Sequence, residues 1–172
     1  MQISDRPAPP PKGFSQIQRK FAWTLFAAAP PAVVPKKHIA LVRYEVNEWE
    51  KVAIWKRDRG EDWTNLREFR KKHMRTGETH TYYEGDCENL MFELAQRLAR
   101  AGIDLGALHF LAAELDPGDP KSGHMFLGVE TEEGWFLHDC RRFGLIKWGH
   151  VVFEGIKWVA ITDQGQWKEI ET

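Results

Sequence analysis

The residues of this chain best suited to chemistry are a cysteine, a histidine and an aspartate, in that order. Gly85-Asp86-Cys87-Glu88-Asn89 leads into an apolar-striped segment, and Gly123-His124 and His138-Asp139 follow. A thiol nucleophile needs to be ionised, needs an imidazole to take its proton, and needs a carboxylate to orient that imidazole. Cys87, His124 and Asp139 supply these three roles. Cys87 falls in the first turn of a segment with helical spacing, where free backbone N–H groups and the helix dipole favour a thiolate. Asp86 and Glu88 act in both directions. Two carboxylates beside the cysteine are costly to bury, which argues against a packing role, but their charge raises a thiol pKa unless His124 offsets it as imidazolium. His124 stands at the head of the apolar run Met125-Phe126-Leu127, with Gly123 leaving space beside it. A hairpin arc from His124 returns the chain to its own level, so Asp139 is expected at the Nδ1 side of the ring. The bland alternatives are a small buried cysteine under a helix and a strand-end histidine with its hydrogen bonds satisfied.

Other donors surround this set. His138 and Cys140 flank Asp139 and, as strand neighbours, are expected on the opposite face. With Cys87 and His124 they could form a zinc set, although they lack the close-paired spacings of zinc motifs. Asp86, Glu88 and Asn89 form an oxygen-rich group that could hold calcium. Three adjacent residues are not a full ligand set, and a solvated first helical turn explains them as well. Trp63, Tyr82, Tyr83 and Trp135 lie near the motifs in the chain and could line a groove, against the commoner role of core aromatics.

The elements that must position these residues can be read from periodicity. Residues 1–13 are Pro-rich and read as a flexible, extended tail, with one domain over 14–172. Phe14 to Ala29 is a helix candidate, broken by Pro30, Pro31 and Pro35. Apolar spacing predicts a helix over Ile39 to Trp55 and another from Asp62 through Phe69, with Lys71 to Tyr83 as a polar loop. Asp86 to Ala101 is the strongest helix, striped by Leu90, Leu94 and Leu98 and stopped by Gly102. Strands are expected at Leu108–Leu115, His124–Glu130, Gly134–Asp139, Leu145–Trp148, Ile156–Thr162 and Gln166–Ile170, with Asp116 to Pro120 a loop. Helices first and an antiparallel sheet after, with the cysteine at the junction, is an α+β domain whose nucleophile helix packs on the sheet.

Composition narrows the function classes. The chain has 172 residues, 42 % hydrophobic and 28 % charged, enough to bury a core. Twenty-four Lys and Arg against 25 Asp and Glu, a net charge of −1, do not suggest a nucleic-acid partner. Two cysteines exclude a disulfide scaffold, and no apolar run reaches membrane-spanning length. Phe21 to Val34 follows Arg19-Lys20 and carries Ala27-Ala28-Ala29, but Asp5 and the prolines spoil a signal-peptide pattern. A cytoplasmic or virion-associated location is therefore favoured over a periplasmic one.

Taken together, the motifs resemble the bacterial transglutaminase-like cysteine peptidases, the family of the periplasmic protease that clips a biofilm adhesin. The matching segments are Val46-Asn47, Gly60-Glu61-Asp62-Trp63, Gly85-Asp86-Cys87-Glu88-Asn89, Gly123-His124 and His138-Asp139-Cys140, within roughly residues 40–160. The resemblance implies a papain-like or transglutaminase-like fold and a Cys87, His124, Asp139 triad. It also implies that Asp86 and Glu88 match the ligands of calcium-binding relatives. Asn89 stands where the family has a second Asp, and Cys140 where it has Asn. The expected activity is thiol peptidase or amidase chemistry through an acyl-enzyme, on a peptide, an isopeptide or a peptidoglycan peptide, with no required cofactor. Water or a lysine amine could resolve the intermediate. The rival is an inactive binding module on the same fold, such as a phage virion or secretion component.

Overall fold

The computed structural model describes residues 1–9, 29–56, 66–115, 123–141, 144–150, 158–161 and 167–171. The candidate helix at Phe14–Ala29 (but for Ala29), the Gly60–Trp63 motif and the Asp116–Pro120 loop lie outside them. The strands are β1 (Gln2–Pro7), β2 (Ala53–Trp55), β3 (Arg67–Lys72), β4 (Thr79–Gly85), β5 (Leu108–Glu114), β6 (Gly123–Thr131), β7 (Gly134–His138), β8 (Leu145–Lys147), β9 (Trp158–Ile161) and β10 (Trp167–Glu171). The helices are α1 (Ile39–Glu50) and α2 (Cys87–Arg100). Seven strands form an antiparallel sheet in the order β1-β10-β9-β5-β6-β7-β8, and β2-β4-β3 form a second, mixed sheet. This is a mixed α+β fold with helices packed against sheets. Among the described residues no helix is long and apolar enough to cross a membrane.

Helix α2 is the central element. Leu90, Met91, Leu94, Ala95 and Leu98 are fully buried, forming the expected stripe. They pack against Val42, Val46 and Trp49 of α1 and against Met125, Leu127 and Val129 of β6. Each buried Leu contributes about 1.5–3 kcal/mol by leaving water. The helix ends as its sequence suggests, with Ala101 as C-cap and Gly102 following at φ 95°. Alternation sends Phe126 to the other face of the sheet, where it meets Leu111, Ala113, Trp135 and Leu137.

The structure departs from the sequence reading in three places. The segment Gln2–Pro7, read as tail, is an edge strand: it pairs with β10, and Ile3 packs on the Phe126 face. A proline is tolerated there because it ends an edge strand. Helix α1 stops at Glu50, short of Trp55, because Ala53–Trp55 pairs in parallel with Tyr83–Gly85. The stretch read as helix through Phe69 and then as a polar loop is, where described, the β3–β4 hairpin. Much of that hairpin is exposed, so it lacks the apolar alternation of a buried sheet, and cross-strand contacts such as the Phe69–Tyr82 stack at 5.8 Å support it instead.

Gly85 joins β4 to α2 at a point with no room. A Cβ there would lie 2.7 Å from Asn89 Cβ and 3.1 Å from both Asn89 Oδ1 and Leu66 Cδ1. Gly85→Ala is therefore expected to destabilise the fold by about 1–3 kcal/mol, seen as a drop of several degrees in Tm.

Candidate active site

The turn into α2 explains the cysteine block residue by residue. Asp86 is the N-cap in extended conformation, and its side chain accepts from the Asn89 N–H at 3.4 Å. The Asp86 N–H in turn donates to Asn89 Oδ1 at 3.1 Å, closing a reciprocal capping box. Asn89 thus has a structural role that a sequence match to an aspartate does not reveal. Cys87 is the first residue of the helix and is buried. Its Sγ donates to Glu88 Oε2 at 2.9 Å and receives the backbone N–H of Met125. The thiol is thereby anchored to the peptide unit that links His124 to Met125.

His124 and Asp139 form a buried pair, 4 % and 3 % exposed, joined by Nε2 and Oδ1 at 2.7 Å. The register places them together: Leu127 faces His138 at the β6–β7 end, and both chains run on past it to the paired residues. The ring stands edge-on to Phe126 at 4.6 Å, which fixes its plane. Asp139 Oδ1 also accepts the Arg141 N–H at 2.9 Å, with the guanidinium Nε 3.6 Å away. The contact is at Nε2, not at the Nδ1 side expected from the hairpin arc, because chain proximity sets reach but not ring orientation. Nε2–H donates to the carboxylate, leaving Nδ1 with a lone pair to accept a proton.

The arrangement of thiols also differs from expectation. Strand alternation puts Cys140 on the face opposite Asp139, yet its Sγ and the donor atoms of His124 and Asp139 all lie within 4.8 Å of one another. The chain leaves β7 at His138, so strict alternation no longer governs the next two residues. Among the described residues, no hydrogen bond joins Cys87 to His124. The two are neighbours through the Met125 amide.

Electrostatics assign the resting protonation states. Burial, followed by the Glu88 charge, pushes the Cys87 thiol well up. Burial and the Asp139 charge do the same to Cys140. The ionised thiol expected from the helix N-terminus is thus reversed: desolvation and an adjacent carboxylate outweigh the dipole. Burial lowers the His124 pKa despite the opposing pull of Asp139, so the ring is neutral at pH 7. Burial acts to raise Asp139, but the hydrogen bond and charge of His124, with Arg141, hold it at about 2. The resting site is a neutral thiol, a neutral imidazole and an ionised carboxylate.

One residue takes a role in the site other than the expected one, and one residue is absent from the sequence reading altogether. Glu88, read as a surface or calcium-binding residue, is only 7 % exposed and is the acceptor for the Cys87 thiol. Glu50, at the end of α1, accepts the Gly144 N–H, while His138 Nδ1 meets the Gly144 carbonyl at 3.3 Å. This strap holds the loop that carries Asp139 to Arg141. Glu50 approaches His138 at 3.5 Å, but burial keeps His138 neutral with a pKa of about 4, so the contact is not an ion pair. Nothing in the sequence marks Glu50, whereas His138 stood beside the motif.

The groove aromatics disperse. Trp63 lies outside the described residues, Tyr83 packs on Trp49 at 5.4 Å, and Trp135 packs on His109 at 4.6 Å on the Phe126 face. Tyr82 stacks on Phe69 and borders a cleft with Glu48, Lys51 and His80, which shares no residue with the His124 cluster. Asp86 and Glu88 spend oxygens on the helix cap and the thiol. The one metal-competent cluster among the described residues is mixed nitrogen, oxygen and sulfur. That is not the all-oxygen set calcium takes.

The chain matches no protein-family model, no curated protein and no solved structure. The buried His124–Asp139 pair has the Cys140 thiol beside it and the Cys87 thiol on the adjoining Met125 amide.

Proposed function

We propose that this chain is a thiol hydrolase, a peptidase or amidase of the transglutaminase-like kind, with Cys87 as nucleophile. The observation that carries the reading is the buried His124–Asp139 hydrogen bond, which presents a neutral imidazole beside the peptide unit that holds Cys87. Cys87 Sγ attacks the scissile carbonyl while His124 Nδ1 takes its proton. Asp139 keeps the ring in the required tautomer and stabilises the imidazolium. The Cys87 backbone N–H, at the first turn of α2, has no intrahelical partner and can donate to the developing oxyanion. His124 then protonates the leaving amine. Water, activated by the same imidazole, releases the acid; a lysine amine in its place gives transamidation. Because thiol and imidazole are both neutral at rest, proton transfer accompanies attack rather than preceding it. Peptides, isopeptides and peptidoglycan peptides share the amide carbonyl this chemistry needs.

The raised thiols favour one second reading, a binding module on the same fold without catalysis, such as a virion- or secretion-associated component. A peptide-library digestion followed by mass spectrometry separates the two. The hydrolase reading expects cleavage that disappears in both Cys87→Ser and His124→Ala but persists in Cys140→Ser. Cleavage that survives Cys87→Ser would remove Cys87 as nucleophile, and no cleavage by any form would favour the binding module.

A further inference from the structure

Cys140 has no role in the proposed reaction, yet it completes a compact donor set. A ring nitrogen of His124, a carboxylate oxygen of Asp139 and the sulfur of Cys140 lie within 4.8 Å of one another, two of the residues buried and the third half-buried. Imidazole, carboxylate and thiolate are the three ligand types of zinc sites, at about 2.0–2.3 Å from the metal, which puts tetrahedral donors roughly 3.3–3.8 Å apart. Closing the set to that size needs movement of about 1 Å, and the His124–Asp139 hydrogen bond must open by less than that.

We propose that His124, Asp139 and Cys140 bind one borderline-soft divalent cation of the zinc class, leaving a fourth position open toward Cys87. The surrounding charge suits a dication. Glu88 and Asp86 both act electrostatically on Cys140, and Arg141 is the cation that opposes them. Asp139 is already oriented by the Arg141 N–H at 2.9 Å, a supporting contact of the kind that fixes ligand carboxylates. The Gly144 strap holds His138 and the loop behind the site. Binding replaces the Cys140 S–H proton by the metal and releases that proton to solvent, and the His124 ring hydrogen shifts from Nε2 to Nδ1 so that Nε2 can ligate, with no change of oxidation state.

The regulatory consequence rests on the hydrolase reading. A bound cation occupies the histidine that must take the Cys87 proton and the aspartate that orients it. Metal and acyl transfer are therefore mutually exclusive, and zinc is an inhibitor that Cys140 makes possible.

The test uses the full chain, metal-free, titrated with cobalt(II) and followed by absorbance. The expected result is saturation at one cobalt per chain, with a sulfur-to-cobalt charge-transfer band and the visible bands of tetrahedral cobalt, displaced by zinc. Cys140→Ser should lose the charge-transfer band and weaken binding by more than the roughly 10–100-fold that loss of a supporting contact alone costs, while Cys87→Ser keeps both. If Cys140→Ser misfolds, His124→Gln serves: it keeps the sulfur band and loses affinity. No bands at one equivalent, or bands lost in Cys87→Ser and kept in Cys140→Ser, would overturn the site. Acylation of Cys87 by an activated ester, run in parallel, separates the two claims. Acylation without cobalt bands overturns the metal site and leaves the hydrolase. Cobalt bands without acylation keep the site and overturn its inhibitory role.

Discussion

Asp139→Asn is expected to slow acylation of Cys87 by about 10³–10⁴-fold, the scale on which neutralising a histidine's orienting carboxylate acts. The reason lies in the 2.7 Å bond between His124 Nε2 and Asp139 Oδ1. An ionised carboxylate can only accept, so Nε2 carries the hydrogen and Nδ1 is free to act as base. An asparagine amide can rotate its NH₂ toward Nε2 and leave the hydrogen on Nδ1, where it blocks proton transfer. The imidazolium formed during attack also loses its buried counter-charge. Stopped-flow acylation with a p-nitrophenyl ester measures the rate directly. A loss shared equally by His124→Ala and Asp139→Asn is expected, since the two act as one unit. A rate within threefold of wild type in Asp139→Asn would remove the aspartate from the mechanism.

Acidification should cost this fold a large part of its stability, in two separable stages. His138 is nearly inaccessible, and burial lowers its pKa from 6.5 to about 4. The unfolded chain therefore binds the proton more readily, so the stabilisation is complete above pH 6.5 and is lost as pH falls toward 4. The loss is about 3 kcal/mol. His124, shifted in the same direction, adds to this stage. Asp139, held at about 2 against an ordinary 3.8, contributes about 2 kcal/mol more, present above the ordinary value and lost between pH 4 and 2. Urea-unfolding midpoints from pH 7.5 to 3 should fall steeply below pH 6.5. His138→Gln, which keeps a donor for the Gly144 carbonyl but does not titrate, should reduce the upper stage to the part His124 contributes and leave the lower one. An acid limb that begins only below pH 4.5 would contradict the buried, neutral histidine.

Legibility in the sequence followed burial. Helix α2 was readable to within a residue because Leu90, Leu94 and Leu98 all face one core and both ends carry capping residues. Strands β5, β6 and β7 were readable because each is flanked by strands on both sides in the larger sheet and is apolar. The β3–β4 hairpin was not, since its residues are largely exposed and its pairing leaves little mark on composition. Strand β2 was hidden by helical spacing that continued past Glu50, and only the distant segment Tyr83–Gly85 decides its conformation. At the site, the order of Cys87, His124 and Asp139 was visible, and so was the proximity of the last two. The protonation of Cys87 was not, because it depends on burial and on a Glu88 side chain turned inward rather than to solvent. The nearness of Cys140 to His124 was likewise invisible, since it arises where β7 ends and the alternation rule lapses.

The most direct measurement is the intact mass of the protein after brief treatment with p-nitrophenyl acetate, with the acetyl group located by peptide mapping. One acetyl group on Cys87 is expected in wild type and in Cys140→Ser, absent in Cys87→Ser and strongly reduced in His124→Ala. Hydroxylamine should remove it, as befits a thioester. An acetyl group on Cys140, or labelling of Cys87 at the same rate with and without His124, would contradict a hydrolase in which His124 and Asp139 serve Cys87.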